Sequence, residues 1–242
     1  MSYFKFFESR LYSFGDEITL QPFQNLSLYT DVVDQIKDDI AFYNKREIQE
    51  YQRPDQLSFE LYKTPNYHWT FYLMNDNIKQ NGWPLSNREI NEKALKDYPN
   101  KVLTVREDIS SIFKVGQTIR GQRSEATATI KHRDLDLGKI IIHNLSGSFR
   151  PGETIFSTNA DGVEESILFR SITDEHLSPH HYVDANGAWV DINPFQDRGA
   201  NEIPVTNLDF LLEENDKLKQ IRVIKPSVIE NVILATKEAV RA

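Results

Sequence analysis

The chain contains no cysteine, which excludes at once disulfides, thiolate nucleophiles, iron–sulfur clusters and every cysteine zinc site. It also lacks any apolar run near the ~18 residues of a membrane span. Lys5 and Glu8 interrupt the N-terminal stretch too early for a secretory signal, so neither a membrane nor an export partner is expected. Basic residues are in deficit: 28 Lys+Arg against 36 Asp+Glu leave a net charge of −8. Such a chain has no overall basic footprint for nucleic acid. The apolar fraction of 39% lies below the ~45–50% of ordinary globular chains, which points to an extended or many-surfaced protein.

Catalytic motifs are missing as well. There is no G-x-S-x-G elbow, no phosphate-binding loop, no dinucleotide fingerprint and no H-E-x-x-H zinc helix. His176, His180 and His181 offer three imidazoles within six residues. Ser178-Pro179 breaks any helix between them, however, and adjacent residues on a strand point to opposite faces. The carboxylate pairs Asp134/Asp136 and Glu164/Glu165 sit beside glycine turns and read as solvated loop charge. The sequence therefore predicts no enzyme, no cofactor and no metal.

What is present is distributed unevenly. Of 27 aromatic residues, 17 fall within the first 72 positions, more than a small core would bury. Residues 1–41 read as an aromatic arm, including Phe4, Phe7 and Tyr12, followed by a helix from Thr30 to about Ala41 with Val32, Val33, Ile36 and Ile40 as its stripe. A strand is predicted over 42–52, a helix over 55–62 capped by Asp55 and facing inward through Leu57 and Leu61, and a helix over 66–75. Ser86 and Glu89 form a capping box that opens a helix to Asp97.

Residues 101–173 differ in kind. Six of the ten glycines lie between 116 and 162, punctuating β-branched runs. Phe113-Lys-Val-Gly-Gln-Thr-Ile119 recurs as Phe149-Arg-Pro-Gly-Glu-Thr-Ile155 at an offset of 36. This predicts a small pseudo-symmetric all-β barrel or sandwich. Beyond it, 174–242 reads as an Asn186-Gly187 hairpin with a type I′ turn, an irregular stretch over 193–205, a short helix over 208–215, an extended segment over 220–225 and a capped terminal helix with Ile229, Val232, Ile233 and Val240 on one face.

The stretch Tyr51-Gln-Arg-Pro-Asp55-Gln-Leu-Ser-Phe-Glu-Leu-Tyr62-Lys-Thr-Pro65-Asn-Tyr67-His-Trp69-Thr-Phe-Tyr-Leu-Met-Asn75-Asp-Asn77 resembles the LysM-like segment of baseplate wedge proteins from contractile-tailed, myovirus-type bacteriophages. A second stretch, Glu214-Asn215-Asp-Lys-Leu218-Lys-Gln-Ile221-Arg-Val223-Ile, is similar to a segment near the end of the same family.

The resemblance implies an α+β fold with a βααβ LysM-like unit within 42–100, closed by a strand near 78–85, an inserted β domain over 101–173, and a C-terminal arm and helix. It implies a structural role in the phage tail baseplate of the virion, assembled in the host cytoplasm. In that role the protein clamps wedge subunits together and joins neighbouring wedges, with possible sheath- or tube-proximal partners. Asp55, Leu57, Leu61, Tyr62, Pro65, Tyr67, Trp69, Asn75 and Asn77 are then core and loop positions. Phe4, Phe7, Tyr12, Asn215, Leu218, Ile221, Val223, Ile229 and Ile233 are expected to face partners, and the arm 208–242 is expected to be dispensable for folding. The alternative is a peptidoglycan-binding module using the loops at Arg53-Pro54 and Asn75-Asp-Asn77.

Overall fold

The computed structural model describes residues 6–13, 19–24, 34, 36, 37 and 39–241. The protein is mixed α and β and divides into two compact units: one made of 1–86 with 214–242, the other of 87–213. This division takes the helix from Asn87 and the stretch 174–213 with the glycine-rich region. Phe4 and most of the helix expected over 30–41 lie outside the described residues. Ile36 is helical and buried, whereas Ile40 is exposed in a turn, off the predicted stripe.

In the first unit, β1 (Ser9–Tyr12) and β2 (Gln21–Gln24) form an antiparallel hairpin whose residues are all exposed. β3 (Tyr43–Glu47) precedes α1 (Pro54–Tyr62), a 3₁₀ turn (Pro65–Tyr67), α2 (Trp69–Met74) and α3 (Asp76–Asn81). Asp55 does not cap α1: extended Arg53 holds that position, Pro54 occupies the first helical site and the Gln56 side chain accepts the Arg53 N–H at 3.0 Å. The strand expected near 78–85 is absent. Asn75 is extended between two helices, Asp76 favours the start of a new turn, and Ile78 buries completely on the helical face until Gly82 stops it.

The partner of β3 comes from far downstream. β13 (Gln220–Ile224) pairs antiparallel with it, from Gln220↔Glu47 to Ile224↔Tyr43, so the segment read as an unpaired arm completes a two-stranded sheet. The chain reaches β13 through α5 (Asn207–Lys219), longer than expected, and ends in α6 (Ile229–Arg241). Two apolar clusters fill this unit. Trp69, Met74, Ile224, Ile229, Val232 and Ile233 form one, joined by Phe6, Phe42, Tyr43 and Tyr67. Ile48, Leu57, Phe71, Ile78, Ile221 and Val223 form the other, joined by Leu61, Tyr72, Trp83 and Leu218. Ring contacts such as Tyr62 on Phe71 (6.1 Å, 25°) and Phe6 edge-on to Trp69 (5.7 Å, 81°) show where much of the aromatic surplus goes.

The second unit opens with α4 (Asn87–Asp97), then a closed barrel of β4 (Lys101–Val105), β5 (Thr118–Gly121), β6 (Thr127–Asp134), β7 (Lys139–Ser146), β8 (Thr154–Thr158) and β9 (Glu164–Asp174) in the order β4-β7-β6-β5-β8-β9. The barrel is pseudo-two-fold symmetric. β5 meets β8 through Ile119↔Ser157 and Gly121↔Ile155, and β4 meets β7 through Lys101↔Ile142 and Thr104↔Lys139. Each pairing maps onto itself when β4-β5-β6 is exchanged for β7-β8-β9. Phe113, Ile119, Phe149 and Ile155 of the sequence repeat all point into its core. The symmetry also carries two ion pairs, Lys101–Asp174 and Lys139–Asp134, of which only Lys139 is buried.

A second sheet, β11-β10-β12, follows: β10 (Pro179–Val183), β11 (Trp189–Val190) and β12 (Ile203–Thr206), the last in the stretch expected to be irregular. The hairpin at Asn186-Gly187 exists, but without a two-residue type I′ turn. Only Gly187 has positive φ (+82°), and the Asp184 carboxylate accepts the Asn186 and Ala188 N–H groups at 2.8 and 2.9 Å, building a longer loop.

Candidate functional site

The two segments that carry the resemblance meet in one place. Asn75, at the break between α2 and α3, donates from Nδ2 to the carbonyls of Phe71 and Arg222, both at 2.8 Å, and its Oδ1 accepts the Arg222 N–H at 2.7 Å. Its amide thus imitates a neighbouring strand and satisfies the free edge of β13. Asn215 does the same for Leu85, accepting its N–H at 2.7 Å and donating to its carbonyl at 2.9 Å. Tyr62 Oη donates to the Ile224 carbonyl at 2.8 Å, and burial pushes its phenol pKa well above the ordinary value despite hydrogen bonds to Thr70 and Ile224. Tyr67 Oη donates to Glu230 at 2.8 Å, and burial first, then Glu230, raises its pKa.

Beside Asn75 lies a notch of about 500 Å³ with Met74 and Ile221 on its lining and Lys37, Lys45, Asp76 and Arg222 carrying its charge. Lys37 donates to Asp76 at 2.9 Å, and that bond above all holds the Asp76 carboxyl below the usual range. Arg222 lies 5.2 Å from the Tyr43 ring centroid and donates to the Lys37 carbonyl at 3.2 Å. The lining residues carry three cations against one carboxylate and no aromatic ring.

The expected core positions Leu57 and Trp69 are buried, Leu61 packs against the second cluster, and Pro65 starts the 3₁₀ turn. Asp55 is engaged by Arg53, and Asn77 donates weakly to the Lys217 carbonyl at 3.4 Å. The expected partner face requires correction. Phe7, Asn215, Ile221, Val223, Ile229 and Ile233 are each at most 8% exposed, and Leu218 packs inward. These side chains form the unit's own interior, because β13 and α6 fold back onto it. Tyr12 remains exposed on the hairpin, edge-on to Phe23 at 6.4 Å.

One reading of a titratable group changes in the second unit, and one such group is new. Glu165 is not solvated: it is buried and accepts the Phe113 N–H at 2.8 Å and Gln117 Nε2 at 3.2 Å. Glu153, not singled out from the sequence, is 1% exposed and accepts four bonds, from Arg150 N, Arg123 N, Ser124 N and Ser124 Oγ at 2.6–2.9 Å. Burial opposes its charge, but the four donors hold its pKa below the usual range. Glu153 is the repeat partner of Gln117, and that glutamate-for-glutamine exchange was its one visible signal.

His180 and His181 do not point apart. A register shift between Pro179 and His181 in β10 brings their Nδ1 atoms to 3.0 Å. Phe210 stacks on His180 at 4.0 Å and Trp189 on His181 at 3.9 Å. Among the described residues no three metal-ligating side chains cluster, and no helix is long and apolar enough to cross a membrane. No protein-family model matches the chain, and no curated protein matches it.

Proposed function

We propose that this protein is a structural subunit of a contractile phage tail baseplate, whose first unit is a LysM-like scaffold that holds wedge components together. One observation carries the reading: the two resembling segments, separated by more than 130 residues, belong to one body in which Asn75 of the first is hydrogen-bonded to the backbone of Arg222 in the second. The order β3, α1, α2, β13, with the two strands antiparallel, is consistent with a βααβ unit whose second strand arrives after an insertion.

Among the described residues lining the notch beside Asn75–Asn77 there is no aromatic platform for a sugar ring, which favours a scaffold over a glycan-binding module. The test is co-expression with wedge proteins of a contractile phage tail baseplate. A stoichiometric complex that survives size-exclusion chromatography is expected. A chain that elutes alone from every combination, or that binds cell-wall glycan saturably and loses this in Asn77→Ala, overturns the proposal.

A further inference from the structure

The second unit carries a cleft that the scaffold reading does not use. It is about 740 Å³ in volume and is lined by Trp189, Phe195, His181 and the carboxylates of Asp134, Asp136 and Asp191. Trp189 is 67% exposed, yet its ring is not loose: one face rests on His181 at 3.9 Å, nearly parallel, leaving the other to solvent. Phe195 is 50% exposed beside it. His181 is buried, with 7% exposure, and its hydrogen bond runs through Nδ1 to His180, so among the described residues Nε2 has no hydrogen-bond partner.

The charge of this cleft is one-sided. Asp134 is matched by Lys139 at 3.5 Å, whereas Asp136 and Asp191 make no ion pair among the described residues. Burial, His181 and Lys139 push the His180 pKa below its ordinary value against the pull of Asp134, so that ring is neutral near pH 7. Beyond the histidines, Tyr182 and the Trp189 indole N–H, the polar groups of the side chains on the wall are carboxylates, which only accept hydrogen bonds.

A guanidinium is the complement of such a wall: it is planar, permanently charged, donor-only, and stacks on indole. A sugar hydroxyl carries no charge to set against the carboxylates of Asp136 and Asp191, unpaired among the described residues. The chain itself places a guanidinium on one aromatic ring of the wall: Arg198 lies 5.1 Å from the Tyr182 ring centroid and donates to the Asn193 carbonyl at 2.8 Å. We infer that this cleft is a docking site for an arginine side chain presented by a partner protein, stacked on Trp189 and held by Asp136 and Asp191. This rests on the cleft alone and does not depend on the baseplate reading.

The probe is the peptide Gly-Arg-Gly-Arg-Gly, with Gly-citrulline-Gly-citrulline-Gly as its neutral isostere, followed by acrylamide quenching of tryptophan in the full-length protein. Trp69 is buried and Trp83 half-buried, so exposed Trp189 dominates the quenching. The arginine peptide should protect Trp189 saturably and the citrulline peptide should not. Asp136→Asn with Asp191→Asn should weaken binding about tenfold or more, as loss of charge-assisted bonds requires. The equal charge change Glu107→Gln with Asp161→Asn, outside the cleft, should leave it within about threefold. All four positions are exposed, so the folds should be kept, which matching melting curves would establish. Three results would overturn the inference: no saturable protection, equal protection by the citrulline peptide, or equal weakening by both charge variants. Protection of Trp189 by a cell-wall tetrasaccharide but not by the arginine peptide would make the cleft a sugar site instead.

Discussion

Asn75 and Asn215 commit a whole side-chain amide to backbone at the places where the chain has no strand to pair with. Asn75→Ala would remove the partner of the Arg222 N–H and carbonyl at a partly buried strand edge beside the notch, at a cost of about 1–3 kcal/mol in total. Urea denaturation monitored at the first unit measures this, and an unchanged midpoint would refute the clamp. Asn75 is therefore a poor residue with which to test glycan binding, because its loss would unsettle the fold. Trp69, 8% exposed and touching Phe6, should cost about 3–5 kcal/mol on mutation to alanine. Glu153 adds a pH dependence. Its folded-state pKa is depressed, so its stabilisation is present above the ordinary glutamate value of 4.5 and is lost as the pH falls below that through the folded value. Melting temperatures between pH 6 and pH 3 should therefore fall less steeply in Glu153→Gln, which should also be less stable at pH 7. At this scale burial was the hidden quantity. A polar residue such as Asn215 or Glu165 looks solvated in a sequence, because the partners that satisfy it lie 130 and 52 residues away.

The elements were more legible. The extents of α1, α4 and α6 follow from proline, capping and 3.6-residue periodicity, which are local. A small pseudo-symmetric all-β body, barrel or sandwich, followed from glycine punctuation and the Phe-x-x-Gly-x-Thr-Ile repeat, and the closure of β4 on β9 makes it a barrel. The repeat runs further than those seven residues, since β4 and β7 are also equivalent, but Lys101-Val-Leu-Thr and Lys139-Ile-Ile-Ile share only lysine and apolar character. Gly116 and Gly152 occupy matching turns with φ of +89° and +76° and open space where a Cβ would stand. Alanine at either should therefore cost only the backbone term, ~1–2 kcal/mol. Thermal denaturation of the two single variants should give similar losses, and markedly unequal ones would argue against equivalent turns. The misplaced strand near 78–85 has a different origin. A two-stranded sheet needs a partner, and sequence proximity suggested the wrong one.

At the scale of the molecule, the first unit is discontinuous, and the C-terminal segment that looked dispensable supplies β13 and α6. Deleting 208–242 should abolish cooperative unfolding of the first unit rather than leave it soluble, as circular dichroism of the truncated protein would show. By contrast, Leu85 and Asn215 sit in direct hydrogen-bond contact where the chain departs from the first unit and returns to it. Replacing 87–213 by a short glycine-serine linker should therefore preserve a cooperative melt, and 87–213 expressed alone should fold as well. The discontinuity has a consequence for biosynthesis. As the chain leaves the ribosome, β3 and the aromatic helices emerge first but cannot close their sheet until residue 224 has been made. The barrel, complete by residue 174 and rich in nearest-neighbour strand pairs, can form meanwhile. The barrel thereby shortens the loop that β13 must close, so a sheet begun at residues 43–47 waits for a strand made about 170 residues later.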